Sequence, residues 1–188
     1  MQNIVIETPR LILRAWRDED RAPFAAMNAD PEVMRYFPAP YTRAESDAMV
    51  DRISAMMAER GFGFYAVEEK GGAPFIGFVG LSVPRFAAAF TPCVEIGWRL
   101  VRSSWGQGYA TEAAQAARDD GFTRLGLNEI VSFTAVPNEP SQRVMQRIGF
   151  RHEPSLDFDH PLVEEGNWLR RHVLYRLDRA GWEGLQTG

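Results

Sequence analysis

The sequence predicts one α+β domain, a mixed and mostly antiparallel sheet flanked by helices, on three observations. Strand-like runs at 62–67 and 75–83 stand either side of E-K-G-G-A-P, residues 69–74, a hairpin connection. The stretch 94–114 (V-E-I-G-W-R-L-V-R-S-S-W-G-Q-G-Y-A-T-E-A-A) passes from an apolar strand through two glycines into an alanine-rich helix. Residues 130–136 (I-V-S-F-T-A-V) form an apolar run of strand length, as expected for a central strand covered on both faces. A chain of 188 residues is long enough for one full core and shows no repeat or linker, so the expected domain spans 1–188 with its core at about 8–177.

The first strand is expected at 10–16 (R-L-I-L-R-A-W), which alternates apolar and polar side chains. Asp18 or Asp20 is placed to cap a helix carrying Phe24, Ala25 and Met27, which Asp30-Pro31 ends. Thr42 and Glu45 have capping-box spacing at the head of a helix over about 43–60. Its stripe of Ala48, Met49, Ile53, Met56 and Met57 reads as core packing or as a flexible lid. Residues 84–92 are a loop whose Arg85, Phe86 and Phe90 line a substrate pocket or tuck onto the core. The helix near 109–124 turns Ala110, Ala113, Ala114 and Ala117 toward a sheet, with Phe122 and Leu125 at its far end. Asn138 and Pro140 open another helix that ends at Gly149. Residues 150–158 and 169–177 read as two last strands, joined by an acidic loop at 159–167.

Composition narrows the function. With 45% hydrophobic and 24% charged residues and a net charge of −4, the chain is ordinary for a soluble protein and unsuited to charge-driven nucleic-acid binding. Its one cysteine, Cys93, excludes an internal disulfide and reads as strand packing. No signal-peptide pattern starts the chain, and no apolar run reaches the roughly 20 residues of a membrane helix, so no membrane association and a cytoplasmic location are expected. His152, His160 and His172 lack metal-ligand spacing, and no metal is expected. His160 either shapes a site or is a plain surface histidine. Lys70 is the only lysine, so a phosphate clamp beyond the backbone has to use arginine.

Strand, glycine turn and helix N-terminus in that order make an anion cradle. Glycines let the backbone approach a ligand, and the first helical turn offers unpaired N–H groups and a positive dipole end. A P-loop needs G-K-[ST] at the turn, but Gln107, Gly108 and Tyr109 follow Gly106. A dinucleotide fingerprint needs a third glycine where Thr111 stands.

A third glycine motif fits. W-G-Q-G-Y-A-T-E-A and the later V-P-N-E-P-S-Q-R-V-M-Q-R-I-G-F resemble the GNAT superfamily of acetyl-CoA-dependent N-acetyltransferases. With T-P-R-L-I-L-R near the start and R-R-H-V-L-Y-R-L near the end, the chain resembles the RimJ/RimL-like branch in particular. The resemblance implies a sheet splayed between 94–101 and 130–136, with acetyl-CoA entering the gap. It places the pyrophosphate loop on Trp105, Gly106, Gln107, Gly108, Tyr109 and Ala110, running into Thr111, with the backbone amides of 107–110 holding the anion. Trp105 departs from the family's usual arginine or glutamine. Main-chain groups of Leu100, Val101 and Arg102 would pair with the pantetheine arm, which Asn138 would also hydrogen-bond. Arg143 or Arg147 would reach the 3′-phosphate, or lie on a solvated helix face.

Acetyl transfer needs a neutral amine, a polarised carbonyl and a proton for the leaving thiolate. In a regular strand Glu95, Gly97 and Arg99 share the face opposite Val94, Ile96, Trp98 and Leu100. A carboxylate at that depth is explained by general-base chemistry, by a substrate contact, or by an ion pair with an arginine. Many relatives protonate the thiolate with a tyrosine where Met145 stands, and Ser141, one turn earlier, is the RimJ/RimL-like substitute unless it serves as a helix cap. The strand would also supply an N–H to the thioester carbonyl. The expected activity is transfer to a primary amine, first a protein N-terminal α-amine, with a small-molecule amine or a non-catalytic CoA-binding module as alternatives. Asp157, Asp159, Glu164 and Glu165 suit a cationic acceptor or simply face solvent. Monomer and homodimer stay open.

Overall fold

A computed structural model of the chain describes residues 5–187, and its strands form one sheet around a single weak seam. The strands are β1 (Ile6–Glu7), β2 (Leu11–Arg14), β3 (Phe64–Glu69), β4 (Gly77–Ser82), β5 (Glu95–Leu100), β6 (Glu129–Ala135), β7 (Arg151–His152), β8 (Phe158–Asp159) and β9 (Arg171–Asp178). The helices are α1 (Arg21–Ala29), α2 (Arg43–Arg60), α3 (Tyr109–Thr123), α4 (Glu139–Arg147) and α5 (Arg179–Gln186). The sheet order is β1-β2-β3-β4-β5-β6-β9-β7, with β8 also on β9, and β5–β6 is the parallel pair in an otherwise antiparallel sheet.

Alternation along the strands divides the interior. Leu11, Leu13, Tyr65, Val67, Val79, Ile96 and Leu100 turn to one face, where Ala113, Ala114 and Ala117 of α3 lie against them. Ala66, Phe75 and Phe78 turn to the other, under Phe24 and Met27 of α1 and Val50 of α2. Small side chains on α3 let the helix sit low on the sheet, which fixes where its N-terminus opens.

The seam is between β5 and β6. β4 pairs with β5 without interruption from Gly77 opposite Leu100 to Ser82 opposite Glu95, so no bulge alters the facing of β5. β6 meets β5 at one ladder pair, Glu95 opposite Val131. The Val131 N–H donates to the Val94 carbonyl at 3.0 Å, and the Ser132 hydroxyl donates to the Ile96 carbonyl at 2.9 Å. Beyond that point the strands part.

Several elements differ from the sequence expectation. Neither Asp18 nor Asp20 caps α1. Asp20 is buried instead, accepting from both terminal nitrogens of buried Arg14 at 2.7 and 2.9 Å, while exposed Asp18 meets Arg21 at 3.3 Å. A buried guanidinium outcompetes a helix N-terminus for that carboxylate. The capping box of Thr42 and Glu45 forms. The inner stripe of α2 is Ser46, Val50 and Ile53, with Met49 and Met57 flanking it and Ala48 and Met56 only half-buried. Residues 150–158 are two short strands rather than one, because Pro154 starts a 3₁₀ turn over Pro154–Leu156. β1 and α5 carried no sequence expectation. α5 is fastened by Asp178, which accepts from the Gly181 N–H at 2.8 Å, and by Trp182 stacked 5.2 Å from Phe122.

Removing one partner of a buried ion pair strands the other charge. Asp20→Ala is therefore expected to destabilise the fold by about 3–5 kcal/mol. Chemical denaturation reads this as a lower midpoint, with acetyl-CoA binding retained by the folded fraction.

Candidate active site

A cavity of about 850 Å³ opens where β5 and β6 part. Glu95 to Leu100 of β5 and Ser132 to Ala135 of β6 form its floor, and the turn before α3, the start of α4 and the chain from Tyr36 to Tyr41 form its walls.

Gly106 and Gly108 have φ of 74° and 81°, a left-handed conformation that excludes most side chains. Gly108 is the N-cap of α3 and no side chain caps this helix. The first helical bond runs from the Glu112 N–H to the Gly108 carbonyl at 3.0 Å. The N–H groups of Tyr109, Ala110 and Thr111 thus lack helical acceptors, and all three residues line the cavity. These donors, with the dipole end behind them, make a site for a polyanion.

The cradle is braced from the N-terminal segment. Arg10 donates to the Gln107 carbonyl at 3.0 Å and to Glu112 at 2.6 Å, and its guanidinium lies 4.6 Å from the centre of the Tyr109 ring. The Thr8 hydroxyl adds a 2.6 Å bond to Glu112. Burial raises the Glu112 pKa, but the bonds from Thr8 and Arg10 outweigh it and leave it below the usual value. Holding the Gln107 carbonyl on Arg10 keeps that oxygen from competing with an anion. In the sequence Arg10 heads the strand expected at 10–16 and Thr8 belongs only to a motif of resemblance, and neither position points to a partner about a hundred residues away.

Glu95 lies on the cavity side, and among the described residues it forms no ion pair. Burial pushes its carboxyl up to about 7, against a smaller opposing effect of the Ser82 hydroxyl. A carboxyl at that value exchanges protons near neutral pH. The expected face is observed: Arg99 lies beside Phe78 on the α1–α2 side, while Ile96 and Leu100 enter the other core. Ser141 also lines the cavity. Asn138 caps α4, accepting from the Ser141 N–H at 3.3 Å, and the Ser141 hydroxyl has no hydrogen-bond partner among the described residues. Capping therefore does not occupy that hydroxyl.

Residues 10–151 match the family described as the acetyltransferase (GNAT) domain. The chain belongs to the GNAT family. It is 31% identical over 178 residues to an uncharacterized N-acetyltransferase, YnaD, of Bacillus subtilis, covering 94% of this chain and 98% of that one. It is 30% identical over 192 residues to the FsC-acetyl coenzyme A-N(2)-transacetylase of Aspergillus fumigatus, covering 96% of this chain and 79% of the other. A crystal structure of an acetyltransferase from Agrobacterium tumefaciens superposes with a TM-score of 0.77 at 27% identity, covering 95% and 96% of the two chains. The protein is an acetyl-CoA-dependent N-acetyltransferase, and the cradle is suited to the CoA pyrophosphate.

Within this GNAT frame the remaining candidates separate. Leu100, Trp105, Gly106, Gly108, Tyr109, Ala110, Thr111, Asn138, Arg143 and Arg147 all line the cavity. Val101, Arg102 and Gln107 do not. The Val101 N–H closes the β4 ladder on the Ile76 carbonyl at 2.9 Å, and Arg102 approaches Asp30 at 3.9 Å. Because Val101 pairs with β4, alternation turns the Trp98 peptide groups and the Leu100 N–H toward the gap. The Trp105 indole donates to the Leu100 carbonyl at 2.9 Å. The Asn138 side chain is engaged twice, donating to the Thr134 hydroxyl at 2.8 Å as well as capping α4. Arg143 pairs with Glu139 at 3.1 Å.

His160 is not a plain surface side chain. It packs 4.6 Å from Phe86 and 4.9 Å from His172 on the cavity wall, where burial first and His172 second pull its pKa down to about 4. Phe86 and Phe90 back this wall through Phe133 and Phe158 rather than lining it themselves. Asp157, Asp159, Glu164 and Glu165 are absent from the lining; Asp157 holds His152 at 2.9 Å and Asp159 lies 3.4 Å from Arg171. Burial pushes the Cys93 thiol up to about 11, unsuited to nucleophilic attack near neutrality.

If the cradle holds acetyl-CoA through backbone at φ near 80°, Gly108→Ala weakens acetyl-CoA binding in calorimetry. Gly126→Ala is the matched control, since Gly126 has a φ of 66° with open space around its Cβ and stands outside the cavity. It is expected to keep wild-type affinity despite similar backbone strain.

Proposed function

We propose that this enzyme transfers the acetyl group directly to an α-amine in a ternary complex, with Glu95 as general base and the Ser141 hydroxyl at the CoA sulfur. The observation that carries the reading is the Glu95 carboxyl, raised to about 7 on the face of β5 that borders the cavity. A base of that strength suits an α-amine near ~8 far better than a lysine near ~10.4. The RimJ/RimL-like motifs and the free Ser141 hydroxyl support a protein N-terminal acceptor. A small-molecule α-amine is the second reading, favoured by the N(2)-transacetylase name of the Aspergillus relative.

The chemistry divides among the chain's own groups. The cradle at the start of α3 binds the pyrophosphate, and Arg143 or Arg147 takes the 3′-phosphate. The Trp98 N–H, turned to the gap, donates to the thioester oxygen as negative charge develops there. Glu95, through a water, removes the proton from the attacking amine as the C–N bond forms. The C–S bond then breaks, and Ser141 or solvent returns a proton to sulfur.

The pH dependence follows from the sign of the shift. Below about 7 the Glu95 carboxyl is protonated and cannot accept, so kcat/KM rises as pH passes through 7. Glu95→Gln removes that limb and lowers kcat by roughly 10²-fold or more, leaving only the limb set by the amine near ~8. Thiol release from acetyl-CoA across pH 6 to 9 measures both, and unaltered activity in the variant would show that Glu95 is not the base.

A further inference from the structure

Three arginines are buried among the described residues, Arg14, Arg99 and Arg118. Arg14 has Asp20 and Glu68 within 2.8 Å, and Arg118 has Asp119 at 2.7 Å. Arg99, only 7% exposed, has no carboxylate within ion-pair distance. Its guanidinium lies 4.1 Å from the centre of the Phe37 ring, with Phe78 at 5.4 Å and Tyr41 at 5.5 Å. It donates to the Asn28 side-chain oxygen at 2.6 Å, while its Nε is shielded from solvent without any hydrogen-bond partner. Burial lowers its pKa to about 10, partly offset by Tyr41, which leaves it charged at neutral pH. A buried cation compensated by aromatic faces, the Tyr41 hydroxyl and one amide, with no carboxylate, is expensive to keep for packing alone.

Arg99 also stands on the cavity wall, on the same strand face as Glu95 and four residues along. The other two carboxylates lining this side, Glu45 and Glu32, are already engaged. Glu45 belongs to the helix cap with Thr42, and Glu32 pairs with Arg35 at 3.6 Å. Four residues of strand span roughly 13 Å, which accommodates a relay water at Glu95 and an acceptor of amino-acid size. We propose that Arg99 recognises a carboxylate on the acceptor, so that the preferred substrate is an α-amine with an acidic group a few bonds away. This rests on the α-amine reading above and adds the second functional group. Asn28 is the positioning residue: it holds Arg99 and donates to the Ser46 hydroxyl at 3.0 Å, tying the cation to α1 and α2.

Matched acceptors isolate the carboxylate. Glutamate is compared with glutamine as their α-amides, and glutamyl with glutaminyl peptides amidated at the C-terminus, so that only the side-chain carboxylate differs and the amine is nearly unchanged. The expected result is a kcat/KM at least 10-fold higher for the acidic member of one series, carried by KM. The series that shows it identifies a small-molecule or a peptide-borne carboxylate. Arg99→Gln should erase the ratio and Arg99→Lys restore part of it. Equal rates for both members in wild-type enzyme, or a preference surviving in a folded Arg99→Gln, would overturn the proposal. If the variant does not fold, competition decides: glutarate should inhibit wild-type enzyme against the amine, its diamide should not, and equal effects contradict the assignment. Failure of the α-amine reading looks different, since no amine of either series would then release thiol from acetyl-CoA.

Discussion

A parallel pair of central strands that share only one ladder pair is the constraint on which the site depends. Glu95 opposite Val131 anchors β5 to β6, and past it β5 remains stitched to β4 alone. Helix α3 packs on both β5 and β6 across the seam, while the open side of β5 keeps peptide groups with no strand to pair them. Unpaired backbone groups in a protein interior have to find partners. Under the function proposed above the partner is the co-substrate, so an incomplete ladder becomes a binding surface.

From that opening the two halves of the site acquire opposite characters. On one side, uncapped backbone donors at the start of α3 open onto the cavity, and Arg10, Thr8 and Glu112 hold the turn in shape from outside. On the other, side chains of β5 that point away from α3 reach the space beneath residues 36–41, where Glu95 and Arg99 sit at different depths of one strand face. Strand alternation alone separates the two sides: even-numbered residues offer main chain to the gap, and odd-numbered ones offer side chains to the cavity beneath residues 36–41. The aromatic wall of Phe133, His160 and His172 closes the end near β9 with neutral rings.

Much of this was readable from residue order because the signals are local. Helix α2 declared its start through Thr42 and Glu45, β6 through its unbroken apolar run, and the cradle through two glycines at a strand–helix junction. The facing of Glu95 needed only period-two alternation in a strand without a bulge. What escaped depended on distant partners. Asp20 has the look of a cap but answers to Arg14; Arg10 has the look of a strand residue but supports the turn before α3. Arg99 is one arginine among many until the structure shows that, among the described residues, no carboxylate stands beside it. The strand expected at 169–177 forms as β9, whereas 150–158 is split because a single proline, Pro154, decides between one long strand and two short ones.

If the open edge of β5 is the docking strip for acetyl-CoA, binding covers its unpaired amides. Amide hydrogen exchange, with and without saturating acetyl-CoA, tests it at single residues. The account predicts that the Trp98 and Leu100 amides slow markedly on binding, while Gly97, Arg99 and Val101, already paired with β4, change little. Unchanged exchange at Trp98 and Leu100 in a protein shown to be saturated would contradict it.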